Sequence, residues 1–316
     1  MIIEIVLILI GFLMLIKGAD ILVDGSSAIA KKMRISEIII GLTIVSIGTS
    51  MPELFVSTSS ALQGLSDISI GNVIGSNICN LLLILGLSAI INPVKFQKET
   101  IKIENPMSII LTLIFFAICN INQDVSRIEG CILIALFIGF LIYTIIMAKK
   151  SKDEVILQLA LEESKKISVF KNVLLIILGV AVLKVGGDLV VENAKLVATA
   201  LNVSEKIIGL TIVAIGTSLP ELVTSVTAAV KGDSDIAIGN IIGSNIFNML
   251  LIVGLSAVIH PITYNITYNF QMMILFVAMI LMLIFPFIKP KEVMSRWNGT
   301  IFVLLYIFYT IILFFE

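Results

Sequence analysis

Apolar stretches of about twenty residues recur along the whole 316-residue chain, separated by short polar breaks. A helix needs roughly 20 mostly apolar residues to cross the hydrocarbon of a bilayer. By that measure the pattern predicts ten spans, near 2–24, 36–62, 69–91, 106–122, 127–148, 170–198, 206–230, 237–259, 268–288 and 297–315. Strands are not expected as the main architecture. A lipid-exposed backbone must satisfy its own hydrogen bonds, and these runs lack the period-two alternation of a barrel. The fold class this implies is an all-α membrane protein.

The polar and glycine positions inside the apolar runs repeat. Aligning Glu53 with Glu221 gives an offset of 221 − 53 = 168, and residues 41–93 then match residues 209–261 without a gap, with about two-thirds of the positions identical. The same offset pairs Gly11 with Gly179 and Gly18-Ala19-Asp20 with Gly186-Gly187-Asp188, while an offset of 169 pairs Ser126-Arg127 with Ser295-Arg296. The expected organisation is a first five-helix repeat over 1–148 with its core at 41–93, a linker at 149–169, and a second five-helix repeat over 170–316 with its core at 209–261. Five spans is an odd number, so the second repeat is expected to cross the membrane in the opposite sense to the first. Inverted repeats of this kind characterise secondary transporters, whose site lies near the midplane between the halves.

Composition agrees with burial in lipid: 58% of residues are hydrophobic, 14% are charged, and the mean hydropathy is +1.12. A net charge of −1 and a pI near 6.0 argue against a nucleic-acid partner, which would need a clustered basic surface. No obligatory protein partner is indicated. The first apolar run has no basic region before it and continues past residue 15, so it is expected to be a span and not a cleaved signal peptide. Basic residues set the orientation. With the N-terminus outside, Lys31, Lys32, Arg34, Lys95, Lys98, Lys102, Lys149, Lys150, Lys152, Lys165, Lys166, Lys171, Lys231, Lys289, Lys291 and Arg296 fall inside. Arg127, Lys195 and Lys206 fall outside, and Lys17 and Lys184 lie within spans. Both termini are therefore expected outside a multi-pass protein of the cell membrane. The 149–169 segment mixes charge signs and reads as a solvated cytoplasmic connector. Cys79, Cys119 and Cys131 lie in apolar stretches without metal-ligand spacing and are expected to be buried small hydrophobes.

Two carboxylates do not fit this apolar background. Glu53 in GTSMPE and Glu221 in GTSLPE sit mid-span, where an ionised group costs several kcal/mol unless it is paired. No lysine or arginine within either repeat core neutralises them, so the expected counter-charge is a bound metal ion; the bland alternative is a pair of protonated structural glutamates. Pro52 and Pro220 should break their helices near Gly48–Thr49 and Gly216–Thr217, freeing carbonyls that can turn toward a cation. The segments IGNVIGSNICN at 70–80 and IGNIIGSNIFN at 238–248 add Ser76, Asn77, Asn80, Ser244, Asn245 and Asn248. Asn80 follows Ser76 by four residues and Asn248 follows Ser244 by four, so each pair shares a helix face. Gly71, Gly75, Gly239 and Gly243 form small-xxx-small patterns that permit close helix approach.

Oxygen ligands without His or Cys point to Na+, Ca2+ or Mg2+ rather than zinc or copper. The lone His260 reads as an interfacial residue at a span end. No nucleotide-binding loop, GxSxG or HExxH occurs, so neither an enzyme nor an ATP-driven pump has chemical support, and no cofactor is expected. A passive cation channel would share acidic oxygen ligands, but would not need the duplication.

At these residues the chain resembles the calcium/cation antiporter superfamily, and within it the prokaryotic sodium/calcium exchangers. Residues 41–93 and 209–261 look like that family's two alpha-repeats. The resemblance implies exchange of Na+ for Ca2+ by alternating access. It implies Glu53 and Glu221 as the carboxylates shared by both ions, and the carbonyls of Thr49 and Thr217 as calcium co-ligands. It also implies flanking sodium sites using Ser50, Ser218, Ser76, Ser244 and the carbonyls of Ser46 and Ala214, with Asn80 and Asn248 completing a central cluster. Spans one and six resemble the helix pair that slides across the site. Some relatives carry aspartate where this chain has Asn248, and in potassium-dependent ones it is linked to K+ transport. Asparagine at both central places therefore implies K+ independence. Proton-coupled relatives carry a different, glutamate-bearing motif in place of GSNICN, which argues against H+ coupling; H+- or K+-coupled exchange is the alternative to be tested.

Overall fold

The structure, a computed structural model, describes residues 2–33, 35–159, 168–200 and 214–315. These form twelve helical elements. α1 (Ile2–Met33), α2 (Glu37–Thr49), α3 (Met51–Leu62), α4 (Ser66–Ile91), α5 (Thr100–Ile121) and α6 (Arg127–Leu159) make up the first half. α7 (Val169–Ala200), α8 (Ala214–Thr217), α9 (Leu219–Lys231), α10 (Ser234–Ile259), α11 (Tyr268–Phe287) and α12 (Arg296–Phe315) make up the second. Among the described residues eight helices are long and apolar enough to cross a membrane, and α2 with α3 adds a ninth if the bent pair is one span. Of the span expected at 206–230, residues 206–213 lie outside the described residues.

Among the described residues four two-residue strands close the span ends: β1 (Val94–Lys95), β2 (Asp124–Val125), β3 (Ile262–Thr263) and β4 (Val293–Met294). β1 pairs antiparallel with β4 and β2 with β3. Each short ladder therefore joins the first half to the second. The elements also repeat at the offset read from the sequence, since 94 + 168 = 262 relates β1 to β3 and 124 + 169 = 293 relates β2 to β4.

α4 and α10 form the centre: 72% and 83% of their most apolar windows are buried, against 17% for α12 and 22% for α1. They carry the serines, asparagines and glycines, because only a helix surrounded by protein can satisfy so many polar groups at that depth. α10 packs against α2 through glycine. A Cβ on Gly239 would lie 2.6 Å from the Ile38 carbonyl, and one on Gly243 would lie 2.6 Å from the Leu42 carbonyl. The equivalent partner segment for Gly71 and Gly75, near 206–214, lies almost wholly outside the described residues.

α1 and α7, each of 32 residues, run side by side along the outside of this core. Their backbones nearly touch. A Cβ on Gly18 would lie 3.0 Å from the Gly179 carbonyl, and one on Gly186 would lie 2.9 Å from the Gly11 carbonyl. The contact pairs Gly11 with Gly186 and Gly18 with Gly179 (11 + 186 = 18 + 179 = 197), so the helices are antiparallel.

Three expectations are corrected. α1 runs to Met33 rather than ending near 24, carrying Asp20 and Asp24 within it. α6 continues through the first part of the 149–169 segment to Leu159. Cys79 and Cys119 are buried as expected, but Cys131 is exposed on the outer surface of α6, which faces lipid in a membrane. His260 is exposed just after α10.

Candidate ion site

Two interrupted helices present the carboxylates. The break after α2 falls at Ser50 (φ −85°, ψ 11°) and the one after α8 at Ser218 (φ −88°, ψ 7°), one residue beyond the expected Gly48–Thr49 and Gly216–Thr217. α2 and α3 meet at 50°. Pro52 and Pro220 lie in the first turns of α3 and α9, where a missing N–H leaves no helical bond unmade. This places Glu53 and Glu221 in the first turn of a fresh helix, where the exposed N–H groups favour an anion. Both are fully buried, at 0% and 1% exposure.

Each glutamate accepts a bond from the other half's break. Ser50 Oγ donates to Glu221 Oε1 at 2.7 Å, and Ser218 Oγ donates to Glu53 Oε1 at 3.3 Å. The threonines are held the same way. Thr49 Oγ1 bonds Asn240 Oδ1 at 3.0 Å, and Thr217 Oγ1 reaches Asn72 Oδ1 at 3.5 Å. Asn240 Nδ2 in turn donates to Ser225 Oγ and Asn72 Nδ2 to Ser57 Oγ, each at 2.9 Å. Sequence reasoning missed Asn72, Asn240, Ser57 and Ser225. Their signal was available: all four are polar identities at the 168-residue offset inside otherwise apolar spans.

Asn80 and Asn248 lie in π-helical turns, Cys79–Ile84 and Phe247–Ile252, that follow the α-helical starts of α4 and α10. A π turn inserts one extra residue and shifts the faces of the helix, a geometry found frequently at functional sites. Asn80 Nδ2 donates to Asn245 Oδ1 and Asn248 Nδ2 to Asn77 Oδ1, both at 3.0 Å.

These bonds leave a particular set of atoms over. Among the described residues Glu53 Oε2, Glu221 Oε2, Asn80 Oδ1, Asn248 Oδ1 and Ser244 Oγ are buried without a hydrogen-bond partner. Buried polar groups are normally satisfied. Four of these five are acceptor-only oxygens, two of them on carboxylates, and together they suit a hard cation. Among the described residues no three His, Cys, Asp or Glu side chains gather as a ligand group, so the set offers two charges and otherwise neutral oxygen. Ser46 and Ser76 are also buried, and the Ser46 carbonyl already accepts the Ser50 N–H at 3.0 Å. Ala214 opens the described part of α8, directly after 201–213, which lie outside the described residues.

The two halves are not equivalent. Thr49 is 1% exposed, whereas Thr217 is half-buried and lines a cavity of about 440 Å³ with Pro52, Gly187, Asp188, Glu192 and Pro220. Toward the other end of α1, Lys231 Nζ bridges Asp24 at 2.8 Å and Asp20 at 3.1 Å. The repeat equivalent of Lys231 is Gln63 (231 − 168 = 63), and those of Asp20 and Asp24 are Asp188 and Glu192, which line the cavity. α1 is thus tied to α9 toward one end, while the repeat-equivalent carboxylates of α7 border the cavity toward the other.

The sodium/calcium exchanger protein family matches residues 3–146 and 171–315. Similar proteins include a putative antiporter, CaxA, of Alkalimonas amylolytica, 39% identical over 83% of this chain and 82% of that one. The sodium/calcium exchanger MaX1 of Methanosarcina acetivorans is 32% identical over 98% of both chains. Among solved structures, the sodium-calcium exchanger NCX_Mj soaked with Na+ and Ca2+ superposes with a TM-score of 0.84 at 34% identity, covering 98% of this chain and 97% of that one. The family match covers most of the chain in two segments, relatives above 30% identity are matched over most of their length, and the chain belongs to the sodium/calcium exchanger protein family.

Proposed function

We propose that this protein is a secondary active antiporter that exchanges Na+ for Ca2+ across the cell membrane by alternating access, without requiring K+. The observation that carries this reading is the crossed pair of bonds from Ser50 to Glu221 and from Ser218 to Glu53, which spends one oxygen of each buried carboxylate and leaves the other unpartnered. Two carboxylates balance one Ca2+, and the same oxygens accept Na+ in its place. Sharing makes the ions compete, and competition at one site is what couples their movements.

In this reading Glu53 and Glu221 bind either ion, and the carbonyls of Thr49 and Thr217 join them for Ca2+. Ser50, Ser218, Ser76, Ser244 and the carbonyls of Ser46 and Ala214 serve flanking Na+ sites, and Asn80 and Asn248 complete the centre. The scaffold is ten spans in two inverted five-helix repeats, 1–148 and 170–316, joined by the 149–169 linker, with both termini outside. Support comes from the elements that recur at offsets of 168 and 169 and from ladders that join each half to the other. That orientation puts the cavity beside Thr217 on the outer side and the Lys231 clamp on the inner side, an outward-open arrangement. The close-packed α1–α7 pair is the element that moves. Its glycine seam lets the two helices travel as one body across the buried core.

K+ independence rests on Asn248, which supplies an amide where an added charge would favour a further cation. Purified protein in sealed vesicles, loaded with Na+ and diluted into Na+-free buffer containing radiolabelled Ca2+, tests the proposal. Accumulation of Ca2+ that needs the Na+ gradient supports it; uptake indifferent to that gradient indicates a passive pathway, and uptake driven by H+ or K+ indicates the alternative coupling.

A further inference from the structure

The two unpartnered amide oxygens at the centre depend on which way round their amides stand. An asparagine amide has one end that accepts and one that donates, and at a cation site the wrong end is repelled. Asn80 and Asn248 are therefore useful as ligands in one of their two orientations, and glutamate faces no such choice because its oxygens are equivalent.

The structure contains a device that fixes the choice. A main-chain carbonyl can only accept, so Asn77 must turn its Nδ2 toward the Asn245 carbonyl, 3.2 Å away. That leaves Asn77 Oδ1 on the far side of the amide, where it accepts Asn248 Nδ2 at 3.0 Å. Asn248 Oδ1 then has to point away from Asn77, and it is buried and without a partner among the described residues. The second half repeats the chain of constraints. Asn245 Nδ2 donates to the Asn77 carbonyl at 3.4 Å, Asn245 Oδ1 accepts Asn80 Nδ2 at 3.0 Å, and Asn80 Oδ1 is left over. Asn77 and Asn245 are 0% and 1% exposed, so water does not compete for either bond.

We propose that Asn77 and Asn245 are positioning residues that relay the fixed polarity of a main-chain carbonyl to the amides of Asn248 and Asn80, turning their oxygens toward the transported cation. The relay crosses between the repeats: the carbonyl that orients Asn77 belongs to the second half, and so does the amide that Asn77 orients. Formation of the site thus requires the two halves to be in register at α4 and α10. The inference rests on the proposed cation role of Asn80 and Asn248, and it adds a reason for two buried asparagines that contribute no free oxygen of their own.

A double-mutant cycle tests it, using the purified full chain and Ca2+ as the probe, with affinity read by calorimetric titration and by Na+-driven uptake. Asn77→Ala should weaken Ca2+ binding at least tenfold, the scale on which outer groups tune metal ligands. The same substitution in the Asn248→Asp background should cost less than about threefold, because a carboxylate has no wrong end to present. Equal losses in the two backgrounds would mean that Asn77 only holds the helices together, and would overturn the proposal. The mirror cycle, Asn245→Ala with Asn80→Asp, carries the same expectation and serves where Asn77→Ala does not fold. Wild-type protein that shows no Na+-driven uptake would instead defeat the exchanger reading itself, so the two failures are distinct.

Discussion

Ser50 of the first repeat donates its hydroxyl to Glu221 of the second across 2.7 Å, while the reciprocal bond from Ser218 to Glu53 spans 3.3 Å. A hydrogen bond to a charged group contributes about 1.5–3 kcal/mol, and less as it lengthens. Ser50→Ala should therefore raise the half-saturating Na+ concentration more than Ser218→Ala does, by about tenfold against about threefold. Initial rates of Ca2+ uptake over a Na+ series measure both. Equal or reversed effects would show that the asymmetry of the two bonds has no bearing on transport.

Neutralising either carboxylate should be far more severe. Glu53→Gln or Glu221→Gln removes half of the charge that balances Ca2+ and turns one oxygen into an amide nitrogen. We expect apparent Ca2+ affinity to fall by at least a hundredfold, about 2.7 kcal/mol. Both variants should keep their fold, since the isosteric amide fills the same space and removes a buried charge together with its desolvation cost. Exchange at the wild-type rate in either variant would refute the assignment of the site.

The α1–α7 seam predicts a steric result. A Cβ on Gly18 would sit 2.9 Å from the Leu183 nitrogen and 3.0 Å from the Gly179 carbonyl, both main-chain atoms that cannot swing aside. Gly18→Ala should destabilise the protein by about 1–3 kcal/mol through overpacking. Gly139→Ala on α6, where the added carbon would meet nothing within 4 Å beyond its chain neighbours and its own helix backbone, should be neutral or slightly stabilising. Thermal melting in detergent compares them, and similar midpoints for the two variants would contradict the packing.

Lys231→Gln installs at the clamp the residue that its repeat equivalent, Gln63, already carries. The ion pairs are partly exposed, with the Lys231 side chain 26% and Asp24 71% accessible, so the loss of stability should be under about 1 kcal/mol. The expected effect is on motion. Amide hydrogen exchange in α1 around Asp20 to Ser27 should quicken, because one tie between that helix and α9 is gone. Unchanged exchange there would mean the clamp does not restrain α1.

Much of this was legible in the residues because the repeat preserves polar identities within apolar spans. Glu53 and Glu221 stood out, and the structure brings them together with Ser50 and Ser218 from opposite halves. The breaks expected near Gly48–Thr49 and Gly216–Thr217 fall one residue later, at Ser50 and Ser218, because the chain turns just ahead of the new helix whose first turn holds the proline. Asn72 and Asn240 do not stand out in the sequence because an asparagine on a glycine-rich face reads as packing, and the threonine that each one meets belongs to the other half. α1 runs past the end expected near 24, and Lys231, the last residue of α9, provides the counter-charge for Asp20 and Asp24. Glu104 was placed outside its span, yet it is 3% exposed and accepts a bond from Tyr143 at 3.1 Å. The π-helical start of α5, Thr100–Glu104, carries it inward, and apolar periodicity does not report such turns.

The most direct measurement is Ca2+ flux into sealed vesicles that contain this protein alone, with the driving ion varied. Ca2+ should accumulate when Na+ is concentrated inside the vesicle, release Na+ in return, and stop when the Na+ gradient is abolished, with neither K+ nor a pH gradient required. Accumulation that persists without a Na+ gradient, or that follows an H+ or K+ gradient in its place, would contradict Na+/Ca2+ exchange at Glu53 and Glu221.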